Sequence, residues 1–166
     1  MATLRERLDA DLREAQKAHD LSTATVLRML NATIKNKEIE KRAKLGKSGT
    51  PEISLEESSK LTEEEIIETI ATEAKKRREA VSQFQAGNRQ DLAAKEEAEL
   101  KLLSRYLPAQ LSEEEIRQLV QDALAKTGVT NISDLGKVMG VLMPQTKGRA
   151  DGNIVNKLVK EALANN

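Results

Sequence analysis

The chain has 166 residues with 27 basic and 27 acidic side chains, so its formal net charge is zero, and it contains no cysteine. The missing cysteines exclude disulfides, thiolate nucleophiles and zinc–thiolate sites. Charged residues make up 33% of the chain and aromatic residues 1%, which predicts an all-α protein with an aliphatic core and solvated helix faces.

Helical signals begin at the N-terminus. Thr3 with Glu6 forms a capping-box pattern, and leucines spaced by four predict a first helix that runs to about Ala18. A second helix is predicted to restart at Ser22 or Thr23. We therefore expect two neighbouring helices joined by a short link.

The middle of the chain contains the clearest interruption. Residues 46–61 are rich in serine and glycine and are predicted to form a flexible connection. Thr62 starts a long third helix that Gly87 ends, and a fourth helix stops at Pro108. The predicted domains are an N-terminal helical domain over 1–107, with 46–61 as its flexible connection, and a small three-helix domain over 108–166.

The C-terminal domain has its own start and stop signals. Ser112 with Glu115 repeats the capping-box pattern, and Gly128 is expected to end that helix. Ser133 or Asp134 is predicted to cap the next helix. These signals predict three short helices.

The turn around Lys147 and Arg149 is the most specific stretch of the sequence. Pro144 is predicted to end the helix before it, and Asp151 to cap the helix after it. Backbone N–H groups of the later helix, with the two basic side chains, could receive a phosphate, although the Asp151 carboxylate would compete for those donors. A plain helix–turn–helix connection explains Gly148 equally well.

The far end of the second helix is a second basic candidate. Its basic side chains include Lys35, Lys37, Lys41 and Arg42. Phosphate contacts are compatible with this pattern. Base stacking is not expected, because no aromatic residues lie among the lysines.

Catalytic chemistry has little support in the sequence. The single histidine, His19, is predicted to be an exposed link residue. The glutamate runs 63–65 and 113–115 fit first helical turns better than a metal site, and the basic run 75–78 fits a solvated face. We predict no catalytic residues, no cofactor and no metal.

Five stretches in sequence order resemble the GatB/YqeY family: 27–30, 34–40, 73–80, 106–114 and 136–157. The resemblance implies an N-terminal helical domain joined to one similar to the tail of the B subunit of the tRNA-dependent amidotransferase. That enzyme amidates Glu-tRNA(Gln) or Asp-tRNA(Asn) with glutamine as nitrogen donor, and its tail helps engage tRNA. Gln145 departs from the family, which often has a basic residue there, and this weakens a phosphate site in the turn.

The resemblance and the basic turn together predict a non-catalytic, tRNA-associated accessory protein of the cytoplasm. Its RNA-backbone contacts are predicted to be Lys137, Lys147, Arg149 and Lys157, extended by Lys35, Lys37, Lys41 and Arg42. The expected partners are tRNA and amidotransferase subunits, and no membrane is expected, because no apolar run approaches the roughly 20 residues of a span. The alternatives are a protein–protein interaction module and an accessory component of a carbon–nitrogen ligase that uses glutamine as amido-nitrogen donor.

Overall fold

The computed structural model describes residues 2–49 and 51–164 and confirms the all-α prediction: all regular structure in those ranges is helical. The α-helices in the described ranges are α1 (Leu4–Lys17), α2 (Leu21–Lys47), α3 (Glu52–Ser59), α4 (Glu63–Ala86), α5 (Gln90–Ser104), α6 (Glu113–Thr127), α7 (Leu135–Thr146) and α8 (Gly152–Ala164). A short 3-10 turn, Ile132–Asp134, precedes α7. The chain divides into two compact units, Met1–Tyr106 and Leu107–Asn166.

The three predicted capping boxes are confirmed. Thr3, Thr62 and Ser112 each accept a hydrogen bond from the amide three residues on, and the glutamate at that position accepts one in return. These reciprocal bonds satisfy amide groups that lack a partner within the helix. Gly128 ends α6 in the left-handed conformation, with φ of 64°, which glycine adopts without strain.

Aliphatic packing in the N-terminal unit is supplemented by polar contacts between helices. The largest fully buried side chains include Leu8, Leu27, Ile70 and Leu103. The polar contacts between these helices include four that we call the polar ties: Arg5 with Glu38, Lys41 with Glu65, Arg77 with Glu99, and the Tyr106 hydroxyl with Asp11. They join α1 to α2, α2 to α4, α4 to α5, and the end of α5 to α1.

The C-terminal unit is built around an aliphatic cluster. Val120 of α6, Val138 and Leu142 of α7, and Val155 and Val159 of α8 are each at most 1% exposed. Burial of this kind stabilises the folded state by about 1.5–3 kcal/mol for each large side chain. Among the described residues the centre of this cluster is aliphatic, and the ion pair between Arg117 of α6 and Glu161 of α8 lies at the exposed surface.

The start of α2 corrects the prediction of Ser22 or Thr23. Asp20 is the cap, because its Oδ1 accepts the Thr23 N–H at 3.0 Å. His19 precedes it with φ of 55°, so a non-glycine residue in the left-handed region makes the link between α1 and α2. His19 is exposed, as predicted.

The predicted connection 46–61 contains a helix. α3 covers Glu52–Ser59, follows Pro51 and packs on α2. The Ser59 hydroxyl, in a buried residue, donates to the Glu56 carbonyl at 3.0 Å. Serine-rich sequence favours loops in isolation, but packing on a neighbouring helix overrides that local preference.

Pro144 does not end its helix, which corrects that prediction. α7 continues past it to Thr146. The carbonyl that Pro144 cannot bond belongs to Gly140, an exposed residue, so that oxygen can face water. Asp134 precedes α7 without a side-chain capping bond, while Asn131 caps the 3-10 turn.

No helix within residues 2–49 and 51–164 combines the length and apolarity needed to cross a membrane.

Candidate nucleic-acid interface

The turn between α7 and α8, residues 147–151, is held by several backbone hydrogen bonds, and we call it the basic turn. Its first amide, from Lys147, bonds the Met143 carbonyl at 3.0 Å, and the Arg149 and Ala150 amides both bond the Thr146 carbonyl at 2.9 Å. Gly148 takes φ of 72°, the left-handed region that glycine enters at least cost. The sequence correctly identified this glycine as a turn residue.

Three further hydrogen bonds pin the basic turn to the segment before α6. The Leu111 amide donates to the Arg149 carbonyl at 2.8 Å, and the Gln110 side chain donates to the Gly148 carbonyl at 2.8 Å. The Arg149 Nε donates to the Ala109 carbonyl at 3.3 Å. The turn is therefore held from outside as well as by its own backbone.

Asp151 occupies a donor at the start of α8. Its carboxylate accepts the Asn153 N–H at 2.8 Å, and its carbonyl accepts the Val155 N–H at 3.0 Å. This is the competition that the sequence predicted for an anion at these amides. An anion at the basic turn would therefore be held by side chains rather than by the amides of α8.

The four cations predicted in this region all lie in the C-terminal unit. Lys137, Lys147 and Lys157 are exposed, and Arg149 is half-buried. Lys137 Nζ lies 2.8 Å from Asp134, and Lys157 Nζ lies 3.7 Å from Glu161. Exposed ion pairs of this kind contribute roughly 0–1 kcal/mol, so a phosphate can exchange with either carboxylate.

Arg149 has a structural role besides any contact with a ligand. It binds the Ala109 carbonyl, and its positive charge helps to lower the pKa of Glu115 below the ordinary value. Hydrogen bonds from Ser112 are the larger cause of that lowering. Arg149 therefore couples the basic turn to the cap of α6.

One exposed side of α7 has glycine at two positions and therefore leaves the helix backbone uncovered, a feature that the sequence did not predict. Gly136, Gly140 and Met143 recur at intervals of four and three residues, so they share one exposed face. A Cβ atom built on Gly136 or Gly140 would meet nothing within 4 Å. Internal packing thus does not require glycine at either position, and we call this surface the bare face.

The four candidates on α2 fall on two different sides of that helix. Lys35 and Arg42 line a pocket with Arg5 and Lys60, which we call the α2–α3 pocket. Lys37 and Lys41 line another groove, beside Glu65 and Glu68. The structure brings together two pairs rather than one continuous patch.

Lys41 is held within the fold. Its Nζ donates to both Glu65 oxygens, at 2.7 and 3.0 Å, and to the Lys60 carbonyl at 3.1 Å. We therefore assign Lys41 to the packing of α2 on α4. Arg5 and Lys60, which the sequence analysis did not select, are the cations that accompany Lys35 and Arg42 instead.

No group of three or more His, Asp or Glu side chains in the described ranges is placed to hold a metal ion.

Comparison with known proteins links the chain to one family over nearly its whole length. The family model described as Yqey-like protein matches residues 5–163. Altered inheritance of mitochondria protein 41, mitochondrial, from Pyrenophora tritici-repentis is 30% identical over 161 residues, which cover 95% of this chain and 79% of the relative. The protein of the same name from Vanderwaltozyma polyspora is 28% identical over 134 residues, covering 77% of this chain and 64% of the relative.

A third similarity is short and concerns a different protein. A subunit of the glutamyl-tRNA(Gln) amidotransferase from Methanobrevibacter smithii is 39% identical over 57 residues, which are 32% of this chain and 9% of the subunit. The chain thus spans less than two thirds of the Vanderwaltozyma relative and a small part of the amidotransferase subunit.

Proposed function

The chain belongs to the Yqey-like protein family, and from this premise we propose that it is a non-catalytic accessory protein that binds tRNA through the basic turn and the bare face. The observation that carries the proposal is the 57-residue similarity to a subunit whose name specifies Glu-tRNA(Gln). That length is close to the length of the C-terminal unit, Leu107–Asn166. The family match and the exposed cations of this unit support the same function.

The bare face suits close approach of a sugar–phosphate backbone. Gly136 and Gly140 leave the α7 backbone uncovered, Lys137 lies beside them, and Lys147 follows at the end of the helix. Glycine in a helix costs about 1 kcal/mol relative to alanine, and nothing inside the protein uses the space gained. A ligand that lies against the helix would use that space.

The ligand contacts in this proposal are lysine ammonium groups. Lys137, Lys147 and Lys157 would contact phosphates, whereas Arg149 chiefly fixes the turn through Ala109. Such binding is largely independent of RNA sequence and weakens steeply with salt. We therefore expect tRNA affinity to depend on the charge of these lysines.

Fluorescence anisotropy with deacylated tRNA over a salt series tests the proposal. Each of Lys137→Gln, Lys147→Gln and Lys157→Gln should weaken binding at low salt and reduce the salt slope by about one unit for each phosphate that is no longer neutralised. Lys126→Gln is the matched control, since it removes the same charge from an exposed position on α6. Absence of binding at low salt, or equal effects of Lys147→Gln and Lys126→Gln, would rule out the proposed interface.

A second candidate is an accessory component of an amidotransferase complex. Ile132, Met143 and Ile154 of the C-terminal unit are 56%, 43% and 47% exposed, and a protein partner that covered these side chains would remove their apolar surface from water. Size-exclusion chromatography with an amidase subunit should then show co-elution, and the chain should raise amidation of misacylated tRNA. If neither effect occurs, this candidate fails while tRNA binding stands.

The cytoplasmic location predicted from the sequence is part of the proposal. The fungal relatives carry the word mitochondrial in their names. Subcellular fractionation with an antibody to the chain decides between the two compartments.

A further inference from the structure

The α2–α3 pocket of the N-terminal unit carries an excess of positive charge. Its charged lining consists of the cations Arg5, Lys35, Arg42 and Lys60 and the carboxylates Glu38 and Glu56. The cations come from three helices or their ends, so folding brings them together. The excess of two positive charges has no counterpart in the pocket.

Glu38 is already neutralised. The Arg5 guanidinium and the Leu61 amide both donate to its Oε1, the latter at 3.2 Å, and Lys35 Nζ lies 3.9 Å from its Oε2. The side chain is only 8% exposed, and a buried carboxylate needs partners of this kind. The charge of Glu38 is therefore balanced by Arg5, and Lys35, Arg42 and Lys60 remain with Glu56 as the other carboxylate of the lining.

Arg42 and Lys60 make fewer hydrogen bonds and ion pairs inside the pocket than Glu38 does. Among the described residues Arg42 has no hydrogen-bond or ion-pair partner. Lys60 pairs with Glu57 at 2.8 Å, a residue that is 82% exposed and does not line the pocket. The pKa of Lys60 is raised above its ordinary value, chiefly by the hydrogen bond to Glu57 and to a smaller extent by the charge of Glu56, while the positive charge of Arg5 acts against that rise. Arg5 and Lys60 are thus close enough to repel each other.

We propose that the α2–α3 pocket binds a phosphate dianion, either inorganic phosphate or a phosphate monoester. A phosphate monoester carries a charge of about −1.5 to −2 at neutral pH, which matches the excess of two positive charges. The fork of the Arg42 guanidinium suits two phosphate oxygens, and Lys35 and Lys60 act as point charges at the rim. Ile39, 57% exposed on the same wall, offers an apolar contact to an organic group esterified to that phosphate.

Titration of the full-length, isotopically labelled chain with inorganic phosphate tests the pocket directly. Amide signals around Arg42 and Lys60 should shift, and Arg42→Gln should weaken binding by at least roughly tenfold, as expected when the charge-assisted hydrogen bonds of the guanidinium are lost. Lys101→Gln is the control, because it removes the same charge from an exposed position on α5. Equal weakening by Arg42→Gln and Lys101→Gln, or shifts spread over all exposed cations, overturns the proposal.

A second arm identifies the source of the phosphate. If the group belongs to RNA, removal of the 5′-phosphate from tRNA should weaken binding by about tenfold in the wild type and have no effect in Arg42→Gln. If inorganic phosphate binds but the 5′-phosphate has no effect, the ligand is a small phosphate compound. Loss of both effects overturns the pocket as a phosphate site.

This inference stands apart from the tRNA interface of the C-terminal unit. Lys147→Gln should leave inorganic phosphate binding unchanged, and Arg42→Gln should leave the effect of Lys147→Gln on tRNA unchanged. Failure of one proposal can therefore be told from failure of the other.

Discussion

In the N-terminal unit, charged and phenolic side chains lie between the helices, whereas the helices of the C-terminal unit meet through an aliphatic cluster. Glu38, for example, is 6% exposed and is held by Arg5, while Val138 and Leu142 at the centre of the other unit are fully buried. The polar ties favour particular pairings of helix faces, because a buried carboxylate such as Glu38 needs a partner in the folded state. Aliphatic packing leaves the surface charges of the C-terminal unit outside the core.

The comparison separates structural charges from charges that can bind a ligand. Lys41 and Arg77 hold helices together through Glu65 and Glu99. Lys137, by contrast, can lose its surface ion pair at little cost. Charge density in the sequence therefore does not by itself distinguish structural charges from charges that are available to a ligand, because Lys41 and Arg77 lie in ion pairs between helices.

The largest effect should come from breaking the aliphatic cluster. Leu142→Ala should destabilise the C-terminal unit by about 3 kcal/mol, since Leu142 is completely buried and the cavity would remain. Urea unfolding followed by far-ultraviolet circular dichroism measures this loss. The fluorescence of Tyr106, the single tyrosine of the chain, reports the N-terminal unit and should keep its midpoint. A matching shift of both signals would show that the units unfold together.

A smaller loss is expected from breaking a polar tie. Arg5→Met should destabilise the N-terminal unit by about 1–2 kcal/mol, because it leaves the Glu38 carboxylate with one donor fewer in a buried position. The double variant Arg5→Met with Glu38→Gln should recover part of this loss, and tyrosine-detected unfolding of the four chains completes the cycle. Additive losses would mean that the pair is not coupled.

Tyr106 should make the two units respond differently to alkaline pH. Burial, and then the hydrogen bond to Asp11, raise the pKa of Tyr106 above its ordinary value of 10.0. The folded unit therefore keeps a proton that the unfolded chain loses, so this contribution is complete below about pH 10 and declines as the pH rises further. Tyr106→Phe should cost about 1 kcal/mol at neutral pH and flatten that decline.

The control for the alkaline effect is the C-terminal unit, which contains no tyrosine. Its unfolding midpoint, followed through backbone amide NMR signals of α6, α7 and α8, should not show the tyrosine-linked decline, and the same signals from α1 to α5 follow the N-terminal unit in wild type and in Tyr106→Phe. An equal decline in wild type and Tyr106→Phe would contradict the assignment.

The smallest effect has the opposite sign. Gly140→Ala should stabilise α7 by up to about 1 kcal/mol, because the new methyl group meets no atom within 4 Å and alanine favours a helix. The same variant should weaken tRNA binding by covering the bare face. Gly128→Ala is the contrast: at φ of 64° it should destabilise by about 1 kcal/mol and leave binding by the folded chain unchanged. Stabilisation by Gly140→Ala without any loss of binding would argue against contact at the bare face.

Local signals made much of the fold predictable. The three capping boxes and Gly128 depend on residues within three or four positions, so the sequence identifies them directly. α3 could not be found in this way, because its serine-rich sequence is helical through packing on α2. The prediction at Pro144 was wrong for a related reason, since the effect of this proline depends on the exposed glycine four residues earlier.

The two candidate sites also differ in whether their residues are close together in the sequence. The basic turn is contiguous in sequence and could be predicted, including the competing Asp151. The α2–α3 pocket joins Arg5, Lys35, Arg42 and Lys60, which three helices bring together. No window of sequence contains that set, so only the tertiary structure reveals it.

The hydrogen bond from the Leu111 amide to the Arg149 carbonyl makes hydrogen exchange at Leu111 a probe of how often the basic turn opens. That amide can exchange its hydrogen with solvent only when the segment before α6 separates from the turn, so its exchange rate measures how often the turn opens. A ligand that binds the closed turn lowers the open population and slows this exchange in proportion to its occupancy. A single backbone position outside the ligand surface can therefore report the occupancy of the complex, and from its dependence on ligand concentration the dissociation constant.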